Sequence, residues 1–596
     1  MARNLRGLDG RSASLRDRYA AWQAAGAVTV TGLAGTPEPR SIGEPAIARR
    51  LLEGCLRMGG HALDLPVPEA SPWGIPHPAP AFTAALHGFG WLDDLAALGD
   101  DAARRMAQGW LDDWLARFGS GNGPGWVADL AGRRLIRWVH HAPFLLGARP
   151  GQRAGAFLAA LGRHAGFLAR RSHDAPSGLP RIEALTGLLY AGLALEGAPQ
   201  LGHPARIALA QEAAFCIDGE GGIASRNPEE LLEIFANLVW AAQQLAAAGL
   251  DPAPGHAEAV SRAATVLRSL RRGDGALACF HGGGPGSEGK LERALAASGT
   301  RPSARAETAM GFARLAAGRC TVIVDAATPP AGAASRRAHA SSLAFEMCSG
   351  RRPLVVNCGA GQITGESRAR SMRATAMHST LSIEGFSSAR LGAAGLVRGG
   401  TDPTLLHRPS RVILRHEPLP GGGGGLVLSH DGYVATHGLV HVRRLELSGD
   451  GRALSGEDSL VAMEPAHRAR FARMRDLSGR RGLSAAVRFH LHPDVAVDLD
   501  PAERAVRLIL RSGEHWVFRA EGATLALEPS VLLEPGANRP RPTQQIVLAF
   551  VQTETAHPVA WTLAKARGTP LAVRDAEAMA ADAAAPAVPD YQPAAP

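Results

Sequence analysis

The stretch that decides the fold runs from Arg336 to Arg390. It reads RRAHASSLAFEMCSGRRPLVVNCGAG over Arg336–Gly361 and RATAMHSTLSIEGFSSAR over Arg373–Arg390. Short apolar runs alternate with polar residues and are bounded by Gly, Ser and Arg, which is the pattern of β-strands. His339 is expected to open a strand whose alternation buries Leu343 and Phe345. Asn357 ends the next strand, and His378 opens a third after Arg373–Met377. Alternate side chains share a face of a sheet, so three polar groups at corresponding strand ends would converge on one point. His–Asn–His is a weak metal set, because zinc takes imidazole, thiolate or carboxylate rather than a neutral amide oxygen. The alternative is a pair of histidines bonded to backbone at the sheet rim.

Outward from this stretch the same alternation continues. CTVIVDA, SRVILRHE, HVRRLELSGDGRALSGEDSLV, AAVRFHLH, RAVRLILRSG, HWVFRAEG and IVLAFVQTE read as strands. About a dozen such runs without intervening helices imply an antiparallel sandwich. Before about Arg305 the period changes. PAFTAALHGFGWLDDLAALG, AARRMAQGWLDDWLARF, RIEALTGLLYAGLALEG and PEELLEIFANLVWAAQQLAAAG repeat apolar residues at three and four, as amphipathic helices do. Roughly eight to ten helices with short loops fit a bundle, a solenoid or an α/α toroid. The absence of a fixed-length repeat argues against the solenoid. The expected division is a helical domain over residues 1–300, a sandwich over 305–578 and an Ala/Pro-rich tail over 579–596, which composition marks as disordered.

Composition narrows the function. Of 596 residues, 46% are hydrophobic and 20% charged, so the chain is globular rather than disordered. The net charge is +9, and all but two of the 64 basic residues are arginine; Lys290 and Lys565 are the exceptions. A basic chain invites a nucleic-acid reading, but no aromatic platform or lysine-rich segment supports it. No nucleic-acid partner is expected, and the arginine bias matches Ala/Gly/Pro-rich codon usage. The six cysteines are scattered without C-x-x-C spacing, so neither a zinc ribbon nor a disulfide scaffold is expected. VVNCGAG lacks the βαβ context of a dinucleotide site, and HGGGPG and GGGGG read as loops. No apolar run is long enough to cross a membrane, and MARNLRGLDGRSASLRDRY has no signal-peptide core.

The order H-A-x-x-x-x-F, V-x-N-x-G, H-S-T-L, behind a helical half, resembles the heparinase II/III family of polysaccharide lyases. DGYVATHGLVHVRRLELSGDGRALSGEDSL (Asp431–Leu460) and RFHLHP (Arg488–Pro493) look like its later sandwich strands. The resemblance implies an N-terminal α/α toroid followed by a C-terminal antiparallel β-sandwich, with a groove for an acidic, uronate-containing glycan between them. It also implies β-elimination: a cation neutralises the carboxylate, a base takes the ring proton, and an acid protonates the leaving oxygen. By the same resemblance His339, Asn357 and His378 correspond to ligands of a structural zinc.

The lyase positions themselves depart from the family pattern. Where it carries an Asn-His pair on a toroid helix, this chain has Leu179 and Pro180, with Arg181 and Glu183 beside them. Glu230 stands where a catalytic tyrosine is usual, and Arg337 where a catalytic histidine is. Tyr190 lies on an apolar helix face and reads as core. His140 and His141 are adjacent on a helix and point about 100° apart, so they do not serve one ligand. Two readings follow. In one, the chain is a divergent lyase that uses His339 or His378 as base or acid and Arg181 and Arg373 to hold the carboxylate, with Glu183, Glu230 and Arg226 in the groove. In the other, it is a non-catalytic glycan-binding or envelope-assembly protein. The resemblance points to the periplasm or envelope, and the missing leader leaves the cytoplasm open.

Overall fold

The computed structural model describes residues 13–566 apart from 36, 148–150, 302–306, 360–369, 393–402, 479–480 and 535–539. The expected tail and the centre of the expected domain junction lie outside the described residues.

The N-terminal half is an α/α toroid. Its long helices span Asp101–Phe118, Ala128–His140, Gly151–Arg171, Leu179–Ala194, Gly202–Cys216, Pro228–Ala247 and His256–Ser269. Their starts are written in the sequence. Asp100 accepts from Ala103 N–H, and Asn227 accepts from the N–H groups of Glu229 and Glu230, which satisfies donors that a helix N-terminus leaves open. The Ala128–His140 and Leu179–Ala194 helices cross almost in backbone contact. A Cβ on Gly132 would sit 2.3 Å from the Glu183 carbonyl oxygen, and one on Gly187 would sit 2.5 Å from the Gly132 Cα. Any larger residue at either position would force this crossing apart. Trp114, Trp126 and Trp138 are buried around a buried arginine, Arg134, whose guanidinium lies 4.4 Å from the Trp114 ring centroid.

The C-terminal half is a β-sandwich of two antiparallel sheets. One has nine strands and carries Cys320–Asp325, Phe345–Ser349, Arg352–Val356, Leu381–Ile383 and Leu483–Leu491. The other has eight and carries Gly424–Tyr433, Leu439–Leu447, Ala453–Val461 and Ala556–Lys565. Inward residues of both sheets form one core in which the Trp561 ring meets Phe345, Phe489 and Phe518. The toroid core does not stop at the domain boundary: Phe312 and Ile323 of the first sheet and Ala344, just before one of its strands, belong to it. Among the described residues no helix is long and apolar enough to cross a membrane, and all six cysteines are free thiols.

Three local expectations are corrected. His339 does not open a strand; the strand begins at Phe345. Leu343 takes a left-handed φ of 60°, and Ala344 N–H donates back to Ser341 O, so the chain turns before it extends. The sandwich half also contains a helix at Pro465–Leu477, and the toroid half a hairpin of Cys55–Met58 and His61–Asp64. Gly424 and Gly425 begin a strand rather than continuing the glycine loop.

Candidate functional site

The His339 region is built on Asp325, the last residue of its strand and fully buried. Arg226 Nη2 donates to Asp325 Oδ1 at 2.6 Å and Ser341 Oγ donates to Oδ2 at 2.8 Å, while His281 Nε2 lies 3.3 Å from Oδ2. Burial pushes this carboxyl up, but Arg226 and His281 outweigh it and hold it well below the usual carboxylate range. Arg226 comes from the toroid, just before the Pro228–Ala247 helix, at a left-handed φ of 51°. It also donates to the carbonyls of Met310, Gly311, Ala327 and Thr328, and its guanidinium lies 4.6 Å from the Phe312 ring centroid. It is therefore a buried tie between the two domains and does not line a groove.

His339 hangs from this tie, its N–H donating to His281 Nδ1 at 3.3 Å. Its own Nδ1 lies 3.0 Å from His378 Nε2, and His378 Nδ1 lies 2.8 Å from the Ala374 carbonyl. A carbonyl only accepts, so His378 carries its proton on Nδ1, and His339 Nδ1–H donates to the bare His378 Nε2. Burial pushes His378 down to about 4 and His339 well below the ordinary histidine value. Both are neutral at physiological pH, and the His378 lone pair that a proton-abstracting base would use is spent on His339.

The expected zinc ligands meet only in part. Asn357 Oδ1 accepts Ser379 N–H at 3.0 Å, while its buried Nδ2 has no hydrogen-bond partner. The free face of the amide is thus a donor, which repels a cation. Among the described residues no group of three or more His, Cys, Asp and Glu side chains is arranged to hold a metal ion. The residues present do not fit a structural zinc.

Arg373 is engaged by backbone carbonyls among the described residues. Its Nε, Nη1 and Nη2 donate to the carbonyls of Ala338, Pro403 and Ser335, each at 2.8 Å, so it ties the loop that bears His339. Arg181 donates to Ala175 O at 2.8 Å and to Glu212 Oε2 at 3.1 Å. Glu212 also accepts Ser177 Oγ and Gly178 N–H, so the group fixes the turn before the Leu179–Ala194 helix. Glu230 accepts Ser225 Oγ at 2.8 Å in the first turn of its helix. Arg337 is exposed. Arg181, Arg226 and Arg373 thus bond groups of the protein itself, and Arg337 is exposed.

Glu183 differs from these. It is buried, pairs with Arg133 Nε at 2.7 Å, and lines a cavity in the toroid. Burial pushes its carboxyl up to about 7 against the pull of Arg133, and Asp129 and Glu233 add to the rise. Tyr190 is core as expected, against His140 and the Trp240 carbonyl. His141 instead bonds Asp93 at 2.8 Å, so the adjacent histidines do face different partners.

Sequence reasoning missed a second buried network. Gly432 N–H donates to His430 Nδ1, His430 Nε2 lies 3.3 Å from His441 Nδ1, and His441 Nε2 lies 2.8 Å from Asp458 Oδ1. Arg443 closes it, donating to Asp458 and to the carbonyls of Leu343 and Ser379, the loops that carry His339 and His378. It also missed His490, whose Nδ1 faces Ser530 Oγ at 2.7 Å and Cys358 Sγ at 3.3 Å. Burial pushes the Cys358 thiol up to about 11, which keeps it protonated. The signal available for both was polar residues at inward strand positions, visible only once the register is known.

Residues 299–562 match the family model described as heparinase II/III-like, C-terminal. The chain is 32% identical over 559 residues to FtsZ-localized protein C of Caulobacter vibrioides, covering 90% of this chain and 91% of that protein. Among solved structures, heparinase III superposes with a TM-score of 0.67 at 14% identity, covering 93% of this chain and 90% of that one. A mutant of the heparan sulfate lyase HepC from Pedobacter heparinus gives 0.57 at 14% identity, covering 93% and 88%. The toroid, the sandwich behind it, the matched C-terminal domain and the near-full-length relative agree: the chain belongs to the heparinase II/III family.

Proposed function

We propose that this chain has given up β-elimination and works as a binding component at the site where FtsZ assembles. One observation carries the reading: His339 and His378, two candidate proton-transfer groups that the fold brings together, are buried, neutral and hydrogen-bonded to each other. A base near neutral pH needs a proton affinity matched to its task, and burial lowers that of both histidines below it. The name of the relative that covers nine-tenths of the chain supports the association with FtsZ. The family fold supports an acidic polysaccharide as the ligand class, met by exposed arginines such as Arg337 rather than by a catalytic clamp. Of the locations open from sequence, the reading takes the cytoplasmic side, where FtsZ assembles.

The test has two arms. Purified protein is incubated with a panel of uronate polysaccharides while the ultraviolet absorbance of the unsaturated product is followed; no product is expected. A fluorescent fusion is expected to coincide with FtsZ at midcell. Product formation that disappears in His378→Ala would restore the lyase reading, and a fusion spread evenly through the cell would remove the FtsZ association.

A further inference from the structure

The toroid encloses a cavity of about 1010 Å³ lined wholly by residues between Pro39 and Ala297, so no residue of the sandwich contributes to it. Its volume is at the upper end of that of ligand pockets, about 300–1,000 Å³. The wall carries charge of both signs, and the pairing of those charges defines what can enter. Arg133 pairs with Glu183, Arg137 with Asp93 at 3.0 Å, Lys290 with Glu233, and Arg40 with Glu38 at 3.3 Å. Arg293, exposed at the mouth, donates to the Glu288 carbonyl. A uronate or sulfate group needs a cation that the protein has not already neutralised, and would otherwise be placed beside Asp93, Asp94, Glu183 and Glu233.

The wall leaves polar atoms of both kinds open: Arg40 Nε and, apart from its ion pair with Glu183, Arg133 Nε are buried donors without a hydrogen-bond partner. Glu183 Oε2 and Gln243 Oε1 are buried without a hydrogen-bond partner. Unmade bonds of this kind are costly when sealed and become binding energy when a ligand supplies the donor. Burial raises Asp94 to about 6 and Glu183 to about 7, so near neutral pH these carboxyls present a mixture of donors and acceptors. Beside them stands Trp240, half-buried, an aromatic surface among polar groups.

We propose that the toroid cavity binds a short uncharged oligosaccharide, whose hydroxyl groups pair with Glu183 and Gln243 and whose ring packs on Trp240. This inference is independent of the FtsZ reading and of the His339–His378 region. It also sets this cavity apart from an acidic-glycan site, because the lining sets six carboxyl groups against five cations, four of them already paired.

The full-length protein is titrated by calorimetry with cellotetraose, with the N-acetylglucosamine tetramer and, in parallel, with a heparan sulfate tetrasaccharide. At least one uncharged tetramer is expected to bind more tightly than the sulfated one. Trp240→Ala is expected to weaken that binding at least about tenfold. Gln243→Ala, at a half-buried position that leaves the helix packing intact, is expected to weaken it about threefold with an unchanged melting curve. The proposal is overturned if neither uncharged tetramer binds up to about 10 mM, if the sulfated tetramer binds more tightly, or if Gln243→Ala leaves binding unchanged.

Discussion

The His339 region of the sandwich and the cavity of the toroid both gather charged side chains out of water, and they use them in opposite ways. In the sandwich most of the bonds close on the protein, with Asn357 Nδ2 and Ser342 Oγ left open. Arg226 spends its donors on Asp325 and four carbonyls, Arg373 on three carbonyls, and His339 and His378 on each other. In the toroid four of the five cations on the wall are paired, but Glu183 and Gln243 keep oxygens without partners beside a large space. A closed network fixes structure; an open one beside empty volume is where a ligand adds bonds. The family's chemistry was expected in the first region, and the geometry suited to a ligand is in the second.

The comparison can be broken most forcefully at Asp325. Asp325→Ala leaves Arg226 and His281 buried without their anion, and removing one member of a buried pair costs about 3–5 kcal/mol. The two domains share a core across this tie, so the loss is expected as a lower denaturation midpoint for the whole chain rather than for the sandwich alone. Unfolding followed by tryptophan fluorescence, which reports largely on Trp110, Trp114, Trp126 and Trp138, checks this. An unchanged toroid signal would mean that the tie does not couple the domains.

The toroid is expected to reveal itself through pH. Glu183 titrates at 4.5 when unfolded and at about 7 when folded. Between those values the folded state holds a proton that the unfolded state has released, so stability falls as pH rises through this window and then levels off. The fall is on the order of 3–4 kcal/mol for a shift of this size. Glu183→Gln removes the titration. Its stability relative to the unmodified protein is expected to rise from pH 4.5 to 7, measured as the difference between two urea-unfolding series. A constant difference would show that Glu183 is ionised in the cavity.

His378→Ala sharpens the contrast from the sandwich side. It strands the His339 Nδ1–H in a buried setting, at a cost of about 1–2 kcal/mol, and is expected to change neither product formation nor saccharide binding in the toroid. A lost activity with unchanged stability would reverse the assignment.

How far the sequence reveals each region follows from what holds it together. The toroid and the sandwich are legible because hydrophobic period is local: three-and-four spacing up to Ser269 and alternation after Thr308 are printed in the chain. The meeting of His339 with His378 was expected, but from strand ends that neither residue occupies: the strands begin at Phe345 and Leu381. The rest was not legible, because it depends on pairings far apart in sequence. Nothing near Arg226 announces Asp325, 99 residues on, and nothing near Arg373 shows that three carbonyls await it. An arginine in a groove and an arginine capping carbonyls have the same local sequence. Glu183 was singled out beside Arg181 as one candidate pair, yet two residues on a helix point about 200° apart. One reaches the cavity, and the other the turn that precedes the helix.

That divergence gives the smallest expected effect. Arg181 is the residue that the family alignment makes most attractive as a carboxylate clamp, since it follows the Leu179 and Pro180 that replace the Asn-His pair. Its partner Glu212 keeps two other donors, Ser177 Oγ and Gly178 N–H, when the guanidinium is removed. The acceptor is not left bare, so Arg181→Ala costs only what a partly exposed ion pair contributes, about 0.5–1 kcal/mol. Binding of the acidic polysaccharide, read as retention on immobilised heparan sulfate at fixed salt, is expected to be unchanged within error. A clear loss of retention would mean that Arg181 leaves Glu212 to meet the ligand, and the turn before the Leu179–Ala194 helix would then be part of the glycan surface rather than its support.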